Sequence, residues 1–472
     1  MLHHKCTNNI NELSSYFQKS TTPAMTAILN VIQGLCFSDR QVDLQTSRNA
    51  TAKTSDKLLL LLLFPMFEIK NAYSYCSSRL YPIYRYGKDM FYRIQNSTAI
   101  DWRSVNYVIT RNLINRAGKE SHGTRCLIAD DTDLIKRGYH IELIGKIYSH
   151  VTHSFNLGFK GLFLGYHDGK SFFGLDFSLH GEKGKKENYG LTPKQLKSRY
   201  TKKRASDNPD YQRVVDYNET KVDSLIWMIR NAIKRGIRFD YLLVDSWFTS
   251  EKLLRFVKGR RMGCHFLGMV KLGKTKYTYR DKELTAEQLI NRNRKAKRSK
   301  VLGYRYLTFE AEYKGIPVKL FFCKTSRHGN WNALLSTNIE LNFDEAYRIY
   351  ATRWSIEVFF KECKQYLGLG KCQSRDFDAQ IAGTTLSMLR YNILSLAKRF
   401  CDYESLGDLF RGTCADSIQP TISERIWLIL CNTVAKLAEI FEKDEDFIMA
   451  KIITDNEQFT KYLNLKPLTQ AG

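Results

Sequence analysis

The pattern of apolar and polar positions changes character along the chain, and each change predicts a different kind of element. Residues 1–120 carry helical patterning in which basic and aromatic side chains are mixed. The one strongly apolar run, Leu58–Phe64, stops at Pro65. It is far shorter than the roughly 20 residues a membrane span needs and reads as a buried helix. From Arg125 short strands take over. Cys126–Ala129 is a brief apolar strand running into Asp130-Asp131, and Gly161–Tyr166 and Ser171–Leu179 are two more. Asp168-Gly169 between them is a hairpin signal. Thr220–Arg235 places Val222, Leu225, Ile226, Ile229 and Ile233 at helical spacing, with Gly236 suited to the C-terminal cap. Phe239–Val244 is a buried strand that delivers Asp245, and a helix follows over Ser250–Lys258. Residues 263–340 are mostly strand-like, with alternation in Tyr304–Tyr313 and Val318–Cys323. A long helix starts near Asn342, whose side chain can cap it with Glu345 placed for a capping box, and continues to about Leu367. From Asp376 onward the chain reads as helices. No internal repeat or low-complexity segment interrupts this order.

Composition changes the picture in one respect. The chain has 472 residues, enough for two to four domains, and its hydrophobic fraction of 43% is ordinary. Its charge is not: 73 Lys and Arg face 48 Asp and Glu, a formal net charge of +25. Such an excess points to a polyanionic partner. Basic and aromatic residues are densest at Tyr81, Tyr84, Arg85, Tyr86, Lys88, Phe91, Tyr92 and Arg93, a candidate DNA-binding stretch or, equally, a helical subdomain with a solvated basic face. A second basic run includes Lys183, Lys185, Lys186, Lys194, Lys197, Arg199, Lys202, Lys203 and Arg204. It reads as a surface loop, with tracking of DNA as the competing role. The 11 cysteines show no CxxC pair, so free thiols are expected rather than a disulfide framework or zinc knuckle. His150, His153 and His180 offer no metal-triad spacing. The absence of an N-terminal signal pattern and of a membrane span leads us to expect a cytoplasmic protein.

Three acids stand out by position: Asp131 and Asp245 at the ends of strands, Glu357 on a helix. Strand ends of an α/β sheet converge on one edge. Carboxylates gathered there repel one another unless a cation neutralises them. Two metal ions about 3.5–4 Å apart would build an in-line phosphoryl-transfer site, and magnesium suits such oxygen ligands. On the Glu357 helix, Tyr350, Arg353, Glu357 and Lys364 fall within roughly 60° of one face at about 100° per residue. An acid flanked by two cations and a phenol suits a metal ligand beside a phosphate backbone; a surface helix with an Arg353–Glu357 ion pair is the plainer alternative.

Tyr350 through Lys364 matches the Y-(2)-R-(3)-E-(6)-K signature, with Trp354, Ile356 and Phe360 also typical. The chain here resembles the DDE transposases of a large group of bacterial insertion sequences. Leu127–Thr132 resembles the segment of that family's first catalytic aspartate, and Leu242–Asp245 that of the second. The likeness runs from Arg125 to Phe400, is weaker around Asp89–Arg93 and Asp101–Arg103, and is absent from about the last seventy residues.

The resemblance implies a ribonuclease-H-like α/β core, a mixed sheet flanked by helices and interrupted by a mainly β insertion, with helical N- and C-terminal regions. The domains expected are a helical candidate DNA-binding domain at 1–120, the first part of the core at 121–262 with a basic loop at 181–215, the insertion at 263–340, the second part of the core at 341–400, and a helical C-terminal region at 401–472. It implies cut-and-paste transposition: nicking, hairpin formation and resolution, and joining to target DNA. Asp131, Asp245 and Glu357 would bind two magnesium ions, with manganese able to substitute. Asp130 and Asp131 alternate in direction, and Asp131, followed directly by Thr132, fits the family pattern better. Tyr350, Arg353 and Lys364 would hold the DNA backbone, joined by Lys361. Trp331 would stack a flipped base, core packing being the alternative. Partners would be double-stranded DNA, as terminal inverted repeats and target, and a second copy in a homodimeric synaptic complex. Ile426, Trp427, Leu428, Leu430, Val434, Leu437 and Ile440 could supply that dimer contact or a last layer of core. The competing functions are a non-catalytic DNA-binding protein derived from a transposase, and a ribonuclease-H-type nuclease.

Overall fold

A computed structural model describes residues 23–415, apart from short breaks at 36–37, 41, 43, 45–49, 51–52, 79, 82–83, 120–122, 260–262, 293–294 and 327, together with scattered positions between 433 and 451. The chain divides into two compact units, one of residues 1–38, 48–91 and 396–472, the other of 39–47 and 92–395. Among the described residues no helix is long and apolar enough to cross a membrane, and the described cysteines are free thiols.

In the first unit, helix α1 (Pro23–Gln33) and helix α2 (Thr54–Leu63) bury their apolar residues, and the Leu58–Phe64 run is buried throughout. Pro65 ends α2 by opening a short 3₁₀ turn. Phe64 stacks on Tyr75 at 5.4 Å between ring centres, and Phe91 meets Tyr75 edge-on at 4.8 Å. Much of the basic–aromatic stretch is therefore core: Tyr84 and Phe91 are buried, while Arg85 and Lys88 are exposed. In the C-terminal region Val434 is buried and Leu437 and Ile440 are exposed; Ile426, Trp427, Leu428 and Leu430 lie outside the described residues.

The second unit is a mixed α/β structure with one large sheet flanked by helices. Helix α3 (Trp102–Gly118) leads into β1 (Cys126–Ile135), β2 (Gly145–Ser149), β3 (Ser154–His167) and β4 (Phe172–His180). Helices α4 (Tyr211–Asn218) and α5 (Lys221–Lys234) precede β5 (Tyr241–Val244), and α6 (Glu251–Lys258) precedes β6 (His265–Val270). The central order is β4-β3-β1-β5-β6, with β2 beside the first half of β3. β1 is antiparallel to β3 and parallel to β5, which is parallel to β6. The chain then forms β7 (Lys276–Tyr279), β8 (Lys282–Thr285), helix α7 (Ala286–Arg292), β9 (Lys297–Arg298), β10 (Arg305–Tyr313), β11 (Ile316–Lys324) and β12 (Asn332–Ser336). β12 pairs antiparallel with β6, so these strands extend the same sheet. Helices α8 (Phe343–Ala351), α9 (Trp354–Gln365) and α10 (Phe377–Ala397) complete the unit.

Local chemistry explains the boundaries. The β3–β4 hairpin turns at Asp168, whose carboxylate accepts from the backbone N–H of Lys170 and Ser171. Gly169 follows at φ +92°, where a side chain would meet Gly123. Thr220, Ser250 and Asn342 each cap the helix that follows by accepting an N–H three residues on. At Asn342 the box is not reciprocal, because the Glu345 carboxylate takes the Asn342 side-chain amide instead. Helices cover both faces of the central sheet. Phe359 and Phe360 of α9 pack edge-on against Phe163 on one face. Arg103 and Tyr107 of α3 reach Asp176 of β4, which pairs with Leu164 and so points to the other.

Two expectations change. β1 does not stop at Ala129: it pairs with β3 through Ile135, so both aspartates lie mid-strand, just beyond the last β1–β5 pair. The single helix expected from Asn342 to Leu367 is two, separated at Thr352–Arg353, where i to i−3 hydrogen bonds tighten the backbone.

Candidate active site

The register of the parallel strands decides which acids meet. The last β1–β5 pair is Ala129 with Val244, so Asp130 and Asp245 each stand one residue past it, level with one another. Asp131 follows with its side chain reversed.

Asp130 faces α9. Its Oδ2 accepts from Arg353 Nη1 at 3.0 Å, and its Oδ1 accepts from the Asp131 backbone N–H. The other arm of the same guanidinium donates to Glu357 Oε1 at 2.5 Å. Burial pushes the Asp130 carboxyl up to about 7, with the charges of Asp245 and Asp131 adding to the rise and the Asp131 N–H and Arg353 opposing it. Asp245 is aimed by its own turn: Oδ1 accepts the backbone N–H of Trp247 at 2.9 Å and of Phe248 at 3.2 Å. Thr249 Oγ1 then donates to Met269 O at 2.7 Å, tying that turn to β6.

The remaining signature side chains line the same face. Tyr350 donates to Val244 O at 3.3 Å, and burial raises its phenol to about 12. Lys364 donates to Thr132 Oγ1 at 2.7 Å, and its pKa is lowered, chiefly by burial. Thr132 sits two residues beyond Asp130 and shares its face. Tyr350, Arg353, Glu357 and Lys364 thus project to one side despite the break between α8 and α9. Lys361 lies exposed one turn beyond Glu357, and Trp354 is exposed at the start of α9.

Asp131 is not brought to Glu357. It pairs with the ammonium of Lys221, the first residue of α5, on the opposite side of β1. The expected choice of Asp131 over Asp130 followed the Asp-Thr dipeptide; the register and the alternation of the strand turn Asp130 to Glu357 instead. Trp331 stands immediately before β12, half-buried, with Lys324 Nζ 4.7 Å above its ring. β12 runs antiparallel to β6, so Trp331 comes at the edge where β5 delivers Asp245.

Two neighbours escaped the sequence reading. Trp247, two residues past Asp245, is 52% exposed, and Lys221 Nζ lies 4.6 Å above its ring. A lysine opening a helix opposes the helix dipole, a signal that it serves a specific carboxylate. Conversely, Lys202 and Arg204 of the basic run are drawn into ion pairs with Glu142, Asp376 and Asp378, whereas Lys183, Lys185, Lys186, Lys194 and Lys197 remain exposed. His180 is buried against Ser178, and burial, helped by Lys221, lowers it to about 4.

The donor set suits a hard divalent cation: carboxylates, one of them raised chiefly by burial and further by its acidic neighbours, with Asp245 Oδ2 and Glu357 Oε2 given no hydrogen-bond partner among the described residues. As the side chains lie, no three acids, histidines or cysteines among the described residues are gathered tightly enough to hold an ion, and Glu357 is paired with Arg353.

A mixed sheet that brings two strand-borne acids level, with a third on an adjoining helix, defines a class of carboxylate site. Within it, residues 211–393 match the transposase DDE domain, a span that includes Asp245 and Glu357 and begins after β1. No curated protein matches the chain. Among solved structures it is similar to a piggyBac transposase synaptic complex with hairpin DNA determined by cryo-EM, at 12% identity and a TM-score of 0.43 over 84% of this chain and 79% of that one.

Proposed function

We propose that this chain is a DDE transposase, an enzyme that cleaves and joins DNA strands, with Asp130, Asp245 and Glu357 holding divalent cations. The observation that carries the reading is the meeting of Asp130 with Asp245 at one level of the sheet and with Glu357 through one guanidinium. The match to the transposase DDE domain supports it. When bound, two magnesium or manganese ions supply activation of a water or DNA 3′ hydroxyl and stabilisation of the leaving oxygen. The chain's own residues bind and orient. Asp245 is held ready by two backbone N–H groups, and Arg353, Lys364 and Lys361 offer positive charge to the phosphate backbone beside the acids. Tyr350 ties α8 to the end of β5, the strand that delivers Asp245, through its hydrogen bond to Val244 O. Trp331, half-buried beside Lys324, takes the base extruded on a hairpin route. The synaptic complex pairs two DNA ends on a homodimer.

Purified protein with magnesium and a duplex carrying the element's own end tests the reading. Wild type should nick the duplex and give strand-transfer products. Glu357→Gln should cleave at least about a hundredfold more slowly while still binding. Nicking without strand transfer would favour a nuclease. Binding without cleavage in magnesium and manganese would favour a non-catalytic DNA-binding protein.

A further inference from the structure

The sheet carries a second charged feature that the three-acid site does not use. Arg305 of β10 is paired in register with Arg298 of β9 on one side and with Lys324 of β11 on the other. Directly opposed residues share a face, so three cations stand side by side across three strands, spaced at about 4.8 Å steps. Like charges in that relation repel and weaken a sheet. Some exposed cations elsewhere in this unit are answered by acids, as Lys276 by Glu283 and Arg255 by Glu251. Among the described residues no carboxylate forms an ion pair with Arg298 or Arg305, and both are exposed. The row ends on Trp331, whose ring lies under the Lys324 ammonium.

Its position gives it a partner. Cys323 pairs with Asn332, so Lys324 and Trp331 are neighbours at the start of β12. That is the edge of the sheet at which β1 and β5 present Asp130 and Asp245. The row therefore leads away from the acid edge along the end of the outer strands.

We propose that Arg298, Arg305 and Lys324 form a track for the phosphate backbone of duplex DNA, continuing past Trp331 from the cleavage site. The inference rests on the transposase reading for its choice of DNA, and its test does not depend on catalysis. Binding of a 30-base-pair mixed-sequence DNA duplex is followed by fluorescence anisotropy in EDTA over a potassium chloride series. Each phosphate contact contributes about 0.9 to the slope of log K against log salt. The triple variant Arg298→Gln, Arg305→Gln, Lys324→Gln should lower that slope by about 2–3. Lys234→Gln, exposed at the far end of α5, should leave it unchanged. Arg305→Gln alone should lower it by about 1, and its DNA-free melting temperature should hold or rise, because a repulsion is relieved. An unchanged slope in the triple variant, or a loss confined to duplex RNA, overturns the track. An unchanged slope with intact cleavage removes only the track, whereas a lowered slope in a protein that never cleaves removes only the transposase reading.

Discussion

Two acid clusters in the second unit look alike by composition and differ in how their charges are answered. One joins Glu142, Asp376 and Asp378 to Lys202 and Arg204. There, every carboxylate oxygen has a donor. Glu142 takes both arms of Arg204 and the backbone N–H groups of Lys202 and Phe377. Asp378 takes Arg204 and Lys202, and Asp376 takes Lys202 and the N–H of Asp378. The other cluster sets Asp130, Asp245 and Glu357 against a single guanidinium and leaves Asp245 Oδ2 and Glu357 Oε2 with no hydrogen-bond donor among the described residues. The first is a closed clamp that ties the basic segment to the start of α10. The second is short of positive charge, as a cation site would be before its cation arrives. Complete answering marks architecture; incomplete answering marks chemistry.

The comparison can be broken from either side. The largest effect expected is in the clamp. Arg204→Met strips a buried, fully bonded cation from two carboxylates and should cost about 3–5 kcal/mol in a urea melt. A loss below 1 kcal/mol would mean the clamp is not structural. Next is Asp210, beside the clamp, whose buried Oδ2 has no partner and whose carboxyl is raised to about 8 by burial and then by Asp378. A carboxyl raised on folding keeps its proton better when folded. Its contribution to stability is therefore present at low pH and lost as pH rises from about 4 to about 8. Asp210→Asn should be more stable than wild type at pH 8.5, with the difference closing below pH 4. The smallest effect is in the acid site. Magnesium at tenfold excess over Kd should stabilise wild type by about 1.4 kcal/mol. Asp245→Asn should abolish that gain, and a gain retained in the variant would separate Asp245 from any metal.

Much of this was legible in the chain because it depends on short-range chemistry. The caps at Thr220, Ser250 and Asn342, the Asp168-Gly169 hairpin and the Leu58–Phe64 helix follow from residues within a few positions of one another. What was not legible depends on partners distant in sequence. The stretch from Asp130 to Asp133 looks like the end of a strand, yet β3 pairs along it and carries it to Ile135. No glycine or proline announces the break at Thr352–Arg353. The choice between Asp130 and Asp131 turns on the register with β5, which the dipeptide Asp-Thr cannot report. Lys202 and Arg204 look like any solvated cations until Glu142 and Asp378, more than 50 residues away in either direction, are brought to them.

The central claim is that Asp130, Asp245 and Glu357 form the catalytic set. It is tested most directly by comparing Asp130→Asn with Asp131→Asn in magnesium-dependent cleavage of a duplex bearing the element's end, with binding measured alongside. The account predicts loss of at least about a hundredfold in rate for Asp130→Asn, with binding retained, and a change of less than about tenfold for Asp131→Asn. Loss of cleavage in Asp131→Asn with an active Asp130→Asn would contradict it.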